Sequence, residues 1–280
     1  MDILGGDFEA RVLEPSPPAV GEPPFADDPV APGEVPEGRR LVSPVSDRGD
    51  LTWDEVAAER PEIASWCAER WLGSWRRLEP LPPEFAETRE RLHRLAEEVV
   101  APERMPDNEI ALRWTLGGFG TPFFSQDGLD CQVRVEAGEL VRQRGPEETR
   151  EAVAGVDRAA AAALGEFYGF ACSVLEELRA LESDDEPSPV QLWPEHFDIA
   201  FELGSEAEGR RANYGASPGD GDHGEPYIYV GPWSAEVSGE LWNARGFGGA
   251  ELRYSELIEA EDQRHAALTF MHDRYEALCA

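Results

Sequence analysis

An α+β fold, with a mostly antiparallel sheet packed against helices, is predicted by the order in which periodicities succeed one another along this chain. Segments that alternate every second residue are gathered in runs, and segments that repeat every three to four residues are gathered in others. They do not interleave as βαβ units, so a parallel sheet is not expected. Turn chemistry such as Ala137-Gly138 joins neighbouring extended segments, which makes their pairing antiparallel.

Residues 1–48 hold the stretch EPSPPAVGEPPFADDPVAPGEVPEG, in which no helical or strand period survives. Such a composition buries too little apolar surface to offset chain entropy, and a flexible arm is expected there. A single domain is expected over 49–280, helical over 52–104 and mixed over 108–280. Thr52 with Glu55 three residues later has the spacing of a capping box, and a helix is expected to start there. Trp53, Trp66, Trp71 and Trp75 then cluster within 23 residues at largely helical spacing. After Pro82-Pro83 a further helix carries Phe85, Leu92, Leu95, Ala96 and Val99 on one stripe, and Pro102 and Pro106 close it.

The period then falls to two. Ile110, Leu112, Trp114 and Leu116 alternate with polar or small neighbours, and so do Leu129, Cys131, Val133 and Val135. From Glu147 to Leu181 apolar residues recur at helical steps, interrupted by Gly155, Gly165 and Gly169, so either one rod or a bend near Gly165–Gly169 is expected. Strand patterns return at Phe197-Ile199-Phe201-Leu203, RRANYGA, PYIYVGPW and AELRY, and the segment from Leu257 to Leu278 is helical.

Charge narrows the function classes. Lys and Arg number 25, every one an arginine, against 57 Asp and Glu, for a net charge of −32. Such a surface repels a phosphate backbone and an anionic membrane alike, which disfavours nucleic-acid and membrane partners. Cys67, Cys131, Cys172 and Cys279 lack CxxC spacing and are expected to be reduced structural residues. With no basic n-region followed by an apolar run near residue 1, a cytoplasmic location is expected. The absence of lysine excludes a P-loop, and GxSxG, HExxH and GxGxxG are absent too.

Three C-terminal stretches, VQLWPEHFDIAFELG, NYGASPGDGDHGEPYIYVGPW and LWNARGFGGAEL, resemble the closing part of an uncharacterised bacterial domain family common in high-GC actinobacteria. The resemblance covers about residues 188–258. LRWTLGGFGTPFF and FACSVLEELRA look like parts of a related actinobacterial group. Glu195 stands where the family pattern has the first of two histidines, which weakens a two-histidine metal site. The resemblance implies a domain boundary and no mechanism.

Chemistry is expected around the 212–233 segment. His196 and Asp198, two apart on a strand, share a face. With Asn213, Tyr214, Tyr227, Tyr229, Trp233 and Trp242 they suggest a polar-aromatic small-molecule pocket, lidded by Ser217–Gly224. An alternative places Zn²⁺, Fe²⁺ or Mn²⁺ on His196, Asp198, Asp220, Asp222 and His223, with Tyr227 or Glu225 assisting hydrolysis. Ca²⁺ is the hard-cation variant for the loop alone. The bland reading of SPGDGDH is a tight turn, in which Pro218 sets φ, Gly219 and Gly221 permit positive φ and the aspartates bond their own backbone. A third class is an interaction or scaffold protein, homo-oligomeric or partner-binding, acting through the tryptophan-rich helices.

Overall fold

Side chains on a pleated strand alternate between faces, so a sheet with one apolar face must bury it, and here two sheets bury theirs against one helix. The computed structural model describes residues 76–280 apart from 104–109, 123, 127–128, 145–146, 183 and 234–236. The expected Pro-rich arm over 1–48 and the tryptophan cluster ending at Trp75 lie outside the described residues.

α1 (Phe85–Leu95) continues into a π-helical turn, Ala96–Val100. The first sheet contains β1 (Arg113–Thr115), β2 (Gly118–Gly120), β3 (Phe124–Gln126), β4 (Leu129–Glu136), β5 (Glu139–Arg144) and β6 (Glu147–Ala152). Its order is β1-β2-β4-β5-β6, with β3 also pairing with β4. α2 (Arg158–Leu181) follows, its N-cap Asp157 accepting the Ala160 N–H at 2.9 Å. The second sheet is a meander of β7 (Gln191–Trp193), β8 (Asp198–Leu203), β9 (Ala212–Ser217), β10 (Tyr227–Pro232) and β11 (Ala250–Arg253). α3 (Tyr254–Glu259) and α4 (Gln263–Cys279) close the chain. All strand pairings are antiparallel, and the fold is α+β.

Local chemistry accounts for the tightest hairpin. Ala137 at φ 46° and Gly138 at φ 83° take the double left-handed conformation of a two-residue turn whose twist matches the flanking strands. Across it Glu136 pairs with Glu139, and the register runs to Cys131 opposite Arg144.

Among the described residues one isolated antiparallel bridge joins the two sheets. Leu112 donates its N–H to the Leu192 carbonyl at 2.8 Å, and Leu192 returns the bond to Leu112 at 2.8 Å. α2 packs against β1, β2 and β4 on one side and β8 and β9 on the other, burying Leu164, Phe167, Val174 and Leu178. α4 packs on α2, β10 and β11 through Ala267, Phe270 and Met271.

One expectation for 147–181 changes, and one of two alternatives is selected. The helix begins at Arg158, and Glu147–Ala152 is a strand paired with β5 from Arg144–Glu147 to Glu139–Ala152. Its sequence EETREA carries no apolar alternation, so the pairing comes from the neighbouring strand and not from a pattern of its own. The helix is also unbroken through Gly165. That glycine serves close packing: a Cβ there would lie 2.6 Å from the Gly117 carbonyl carbon and 2.8 Å from the Gly118 nitrogen. The Trp114 indole N–H donates to the Gly165 carbonyl at 3.3 Å across the same contact.

Candidate functional site

In the second sheet the pleat divides the side chains cleanly. Ile199 and Leu203 of β8, Ala212, Tyr214 and Ala216 of β9, and Ile228 and Val230 of β10 join the core. Asp198, Glu202, Asn213, Ser217, Tyr227 and Tyr229 take the opposite face. They line a cavity of about 850 Å³, walled further by Trp193, His196, Trp233, Phe247 and His93.

The turn from β7 into β8 is held in an unusual conformation. Phe197 has φ 54°, a left-handed value that costs a non-glycine residue about 1–3 kcal/mol and persists only where its surroundings over-determine it. They do so here. The His93 ring stacks on Phe197 at 5.1 Å, while Phe119 and Tyr168 meet it edge-on at 5.0 and 5.7 Å. The Tyr168 hydroxyl donates to the Phe197 carbonyl at 2.6 Å. His196 therefore sits in an exposed turn and not on a strand, with Asp198 starting the strand two residues later; both line the cavity.

Asp198 is only 8% exposed. Its Oδ2 accepts the Tyr229 hydroxyl, and its Oδ1 is buried with no hydrogen-bond partner among the described residues. Burial raises the Asp198 carboxyl above the ordinary carboxylate range; the Tyr229 hydroxyl and the charge of His196 oppose the shift without cancelling it. Burial, reinforced by Asp198, likewise holds the Tyr229 phenol well above its usual value.

The bond spans a strand. Tyr229 of β10 stands opposite Gly215 of β9, which stands opposite Ala200 of β8. A Cβ on Gly215 would lie 2.5 Å from the Tyr229 ring, so the ring lies across the glycine to reach Asp198. Gly215→Ala must lift that ring. The expected result is a loss of about 1–3 kcal/mol in stability, with an Asp198 carboxyl whose NMR titration departs from wild type. An unchanged titration would show that the glycine does not seat the tyrosine.

The GDGDH segment closes on itself. Asp220 Oδ1 accepts the backbone N–H groups of Asp222 at 2.7 Å and His223 at 2.8 Å, and the Asp220 N–H bonds the His223 carbonyl at 2.9 Å. His223 lies against the Tyr227 ring at 4.4 Å, with Nδ1 3.1 Å from Asp220 and Nε2 3.3 Å from Glu251. Burial pushes the Asp220 carboxyl upward, but the two backbone N–H groups and the His223 ring outweigh it and leave it below the usual value. Tyr227 donates to Asp220 at 3.3 Å; burial and that carboxylate push its phenol up to about 12.

The sequence-predicted residues thus divide. His196, Asp198, Asn213, Tyr227, Tyr229, Trp233 and Asp220 come together around the cavity. Tyr214 does not: it is 0% exposed on the core face, tilted against Phe201 at 5.7 Å, because it follows Asn213 directly and the pleat sends it the other way. Trp242 packs against the core and is not part of the cavity wall. Asp222 is exposed, and both nitrogens of His223 face carboxylates of the chain itself. Among the described residues no group of three His, Cys, Asp or Glu side chains is placed to hold a metal ion, so the proposed five-residue ligand set does not assemble.

No protein-family model, curated protein or solved structure matches this chain. The cavity must therefore be read from its own chemistry.

Sequence reasoning missed His93 and Phe247, which reach the wall from α1 and from the segment before β11. His93 falls on an amphipathic helix, where exposure is the default, and its place here depends on Phe197 more than a hundred residues away. Gly215 carried a usable signal: a glycine between Tyr214 and Ala216 inside a strand marks close approach of another group.

Proposed function

We propose that this protein binds a small molecule in the cleft on the exposed face of its second sheet. The observation that supports the reading most strongly is Asp198, a carboxyl group more than nine-tenths buried, with one oxygen unpartnered beside a cavity of about 850 Å³. Buried polar atoms are ordinarily paired, and an exception costs about 1–3 kcal/mol unless something satisfies it. The volume lies within the range of small-molecule sites, and rings of Trp193, Tyr229, Trp233 and Phe247 supply the apolar wall such sites use. The bond from the Trp233 indole to Asn213 at 2.8 Å holds one of those rings in place.

Metal-dependent hydrolysis has no ligand set among the described residues to support it. No helix among the described residues is long and apolar enough to cross a membrane.

The test is a thermal-shift screen of a metabolite library against wild type and Gly231→Leu. Gly231 lines the cavity, and a Cβ there would meet only the Phe247 ring, at 4.0 Å, so a larger side chain can leave the backbone there and occupy cavity space. A ligand at a hundred times its dissociation constant adds about 2.7 kcal/mol. We expect at least one compound to raise the wild-type melting temperature and to lose that effect in Gly231→Leu. Equal stabilisation of both proteins, or of neither, would refute the reading.

A further inference from the structure

We propose that the ligand of this cleft carries a protonated amine, seated with its N–H groups on Asp198 Oδ1 and its charge against the aromatic wall. The inference rests on the binding-pocket reading and adds the chemical class of the ligand.

The charges in the wall have one dominant sign. Among the described residues, Glu195, Asp198, Glu202 and Asp220 line the cavity while no arginine does, and the ionisable nitrogens in the wall belong to His93 and His196. An anionic ligand would meet four carboxylates, of which only Glu202 is paired with a guanidinium, that of Arg211. The carboxylates are not equivalent. Glu202 is engaged by the Arg211 guanidinium at 2.8 and 3.2 Å, and Asp220 by its own loop and Tyr227. Asp198 retains a free acceptor, buried where water is scarce. A carboxylate oxygen accepts and does not donate, so the complement it lacks is an N–H or O–H donor, and a positively charged donor also compensates the buried charge.

The rings favour the same class. Tyr227 and Tyr229 lie 6.0 Å apart, and Tyr229 meets Phe247 edge-on at 6.2 Å, so three aromatic groups stand in series beside Asp198. Aromatic faces attract ammonium groups, more strongly when the site is desolvated. This wall already does so at its rim, where the Arg211 guanidinium sits 5.4 Å from the Trp233 ring. The net charge of −32 draws cations toward the cleft from solution and repels anions.

The experiment uses matched probes of one skeleton: 2-phenylethylamine, 2-phenylethanol and phenylacetate, with 1,5-diaminopentane as a probe lacking a ring. Binding to the full chain is followed by calorimetry and by NMR shifts of the indole N–H signals of Trp193 and Trp233. An amine is expected to bind at least tenfold more tightly than the alcohol, phenylacetate to give no saturable shift, and amine affinity to fall as salt is raised. Asp198→Asn, which keeps the shape and the oxygen facing Tyr229, is expected to weaken the amine at least tenfold and leave the alcohol unchanged. An alcohol that binds as well as the amine, an amine indifferent to salt and to Asp198→Asn, or the absence of any amine binding would each overturn the proposal. In any of these cases a library compound that stabilises wild type but not Gly231→Leu would keep the pocket reading alive; its absence would end both.

Discussion

Gly165→Ala is expected to lower the melting temperature by roughly 6–12 °C. An added methyl group in a close-packed interior costs about 1–3 kcal/mol, and the upper end applies where the obstacle cannot turn aside. Here the obstacle is backbone: the carbonyl carbon of Gly117 at 2.6 Å and the nitrogen of Gly118 at 2.8 Å, in the turn between β1 and β2. Alanine would otherwise be the better helix residue by about 1 kcal/mol, so a fall in stability isolates the packing effect from helix propensity. Gly224→Ala, at a position where a Cβ meets nothing within 4 Å, is the control and should stay within about 0.5 kcal/mol of wild type. Chemical denaturation of the three proteins decides the matter. A neutral or stabilising Gly165→Ala would mean that α2 can move off the first sheet at little cost.

The second large effect lies at Asp198. Tyr229→Phe removes the hydroxyl donor on Oδ2 from a carboxyl whose Oδ1 is already unpartnered, which should cost about 1–3 kcal/mol. Asp198→Asn acts in the opposite sense, with a definite dependence on pH. The folded-state Asp198 titrates above the ordinary aspartate value of 3.8, chiefly because burial disfavours its charged form. Well below 3.8 both folded and unfolded chains hold the proton, and the charge contributes nothing. As pH rises from there, the unfolded chain ionises first, and wild type loses stability until the raised folded-state value is passed. Asparagine never ionises, so Asp198→Asn should match wild type at the acid end and become more stable across that window, with the gap constant above it. Denaturant unfolding of both proteins at successive pH values tests this. A gap that is largest in acid and closes toward neutral pH would mean that Asp198 is stabilised as a carboxylate.

How far each feature could be read ahead depended on whether its cause was local. The hairpin at Ala137-Gly138 was legible because positive φ at two successive residues is a property of the turn itself. β6 was not legible, since a sequence whose one apolar residue is Ala152 takes extended form only by pairing with β5. Most of the cleft followed from alternation: Asp198 with Glu202, Asn213 with Ser217, and Tyr227 with Tyr229 each share a face. The same rule, applied to Asn213 and Tyr214 as adjacent residues, would have sent Tyr214 to the core. The Phe197 turn was out of reach, because the rings that hold it arrive from α1, β2 and α2.

The single-residue junction of Leu112 with Leu192 has a further consequence, for solubility. Each sheet would otherwise present an unpaired outer strand there, β1 on one and β7 on the other, open to pairing with a second molecule. The reciprocal bonds occupy both at once. At the far side, the Asn243 amide bonds the Glu251 carbonyl at 2.9 Å and N–H at 3.0 Å, filling the place a neighbouring strand would take beside β11. β6 is guarded by charge, with Glu147, Glu148, Arg150 and Glu151 along its length and Arg150 bonded to Glu148 and Glu136. The eleven strands of the described residues thus have margins blunted by splice, by amide and by charge, and intermolecular strand addition finds few places to begin along them.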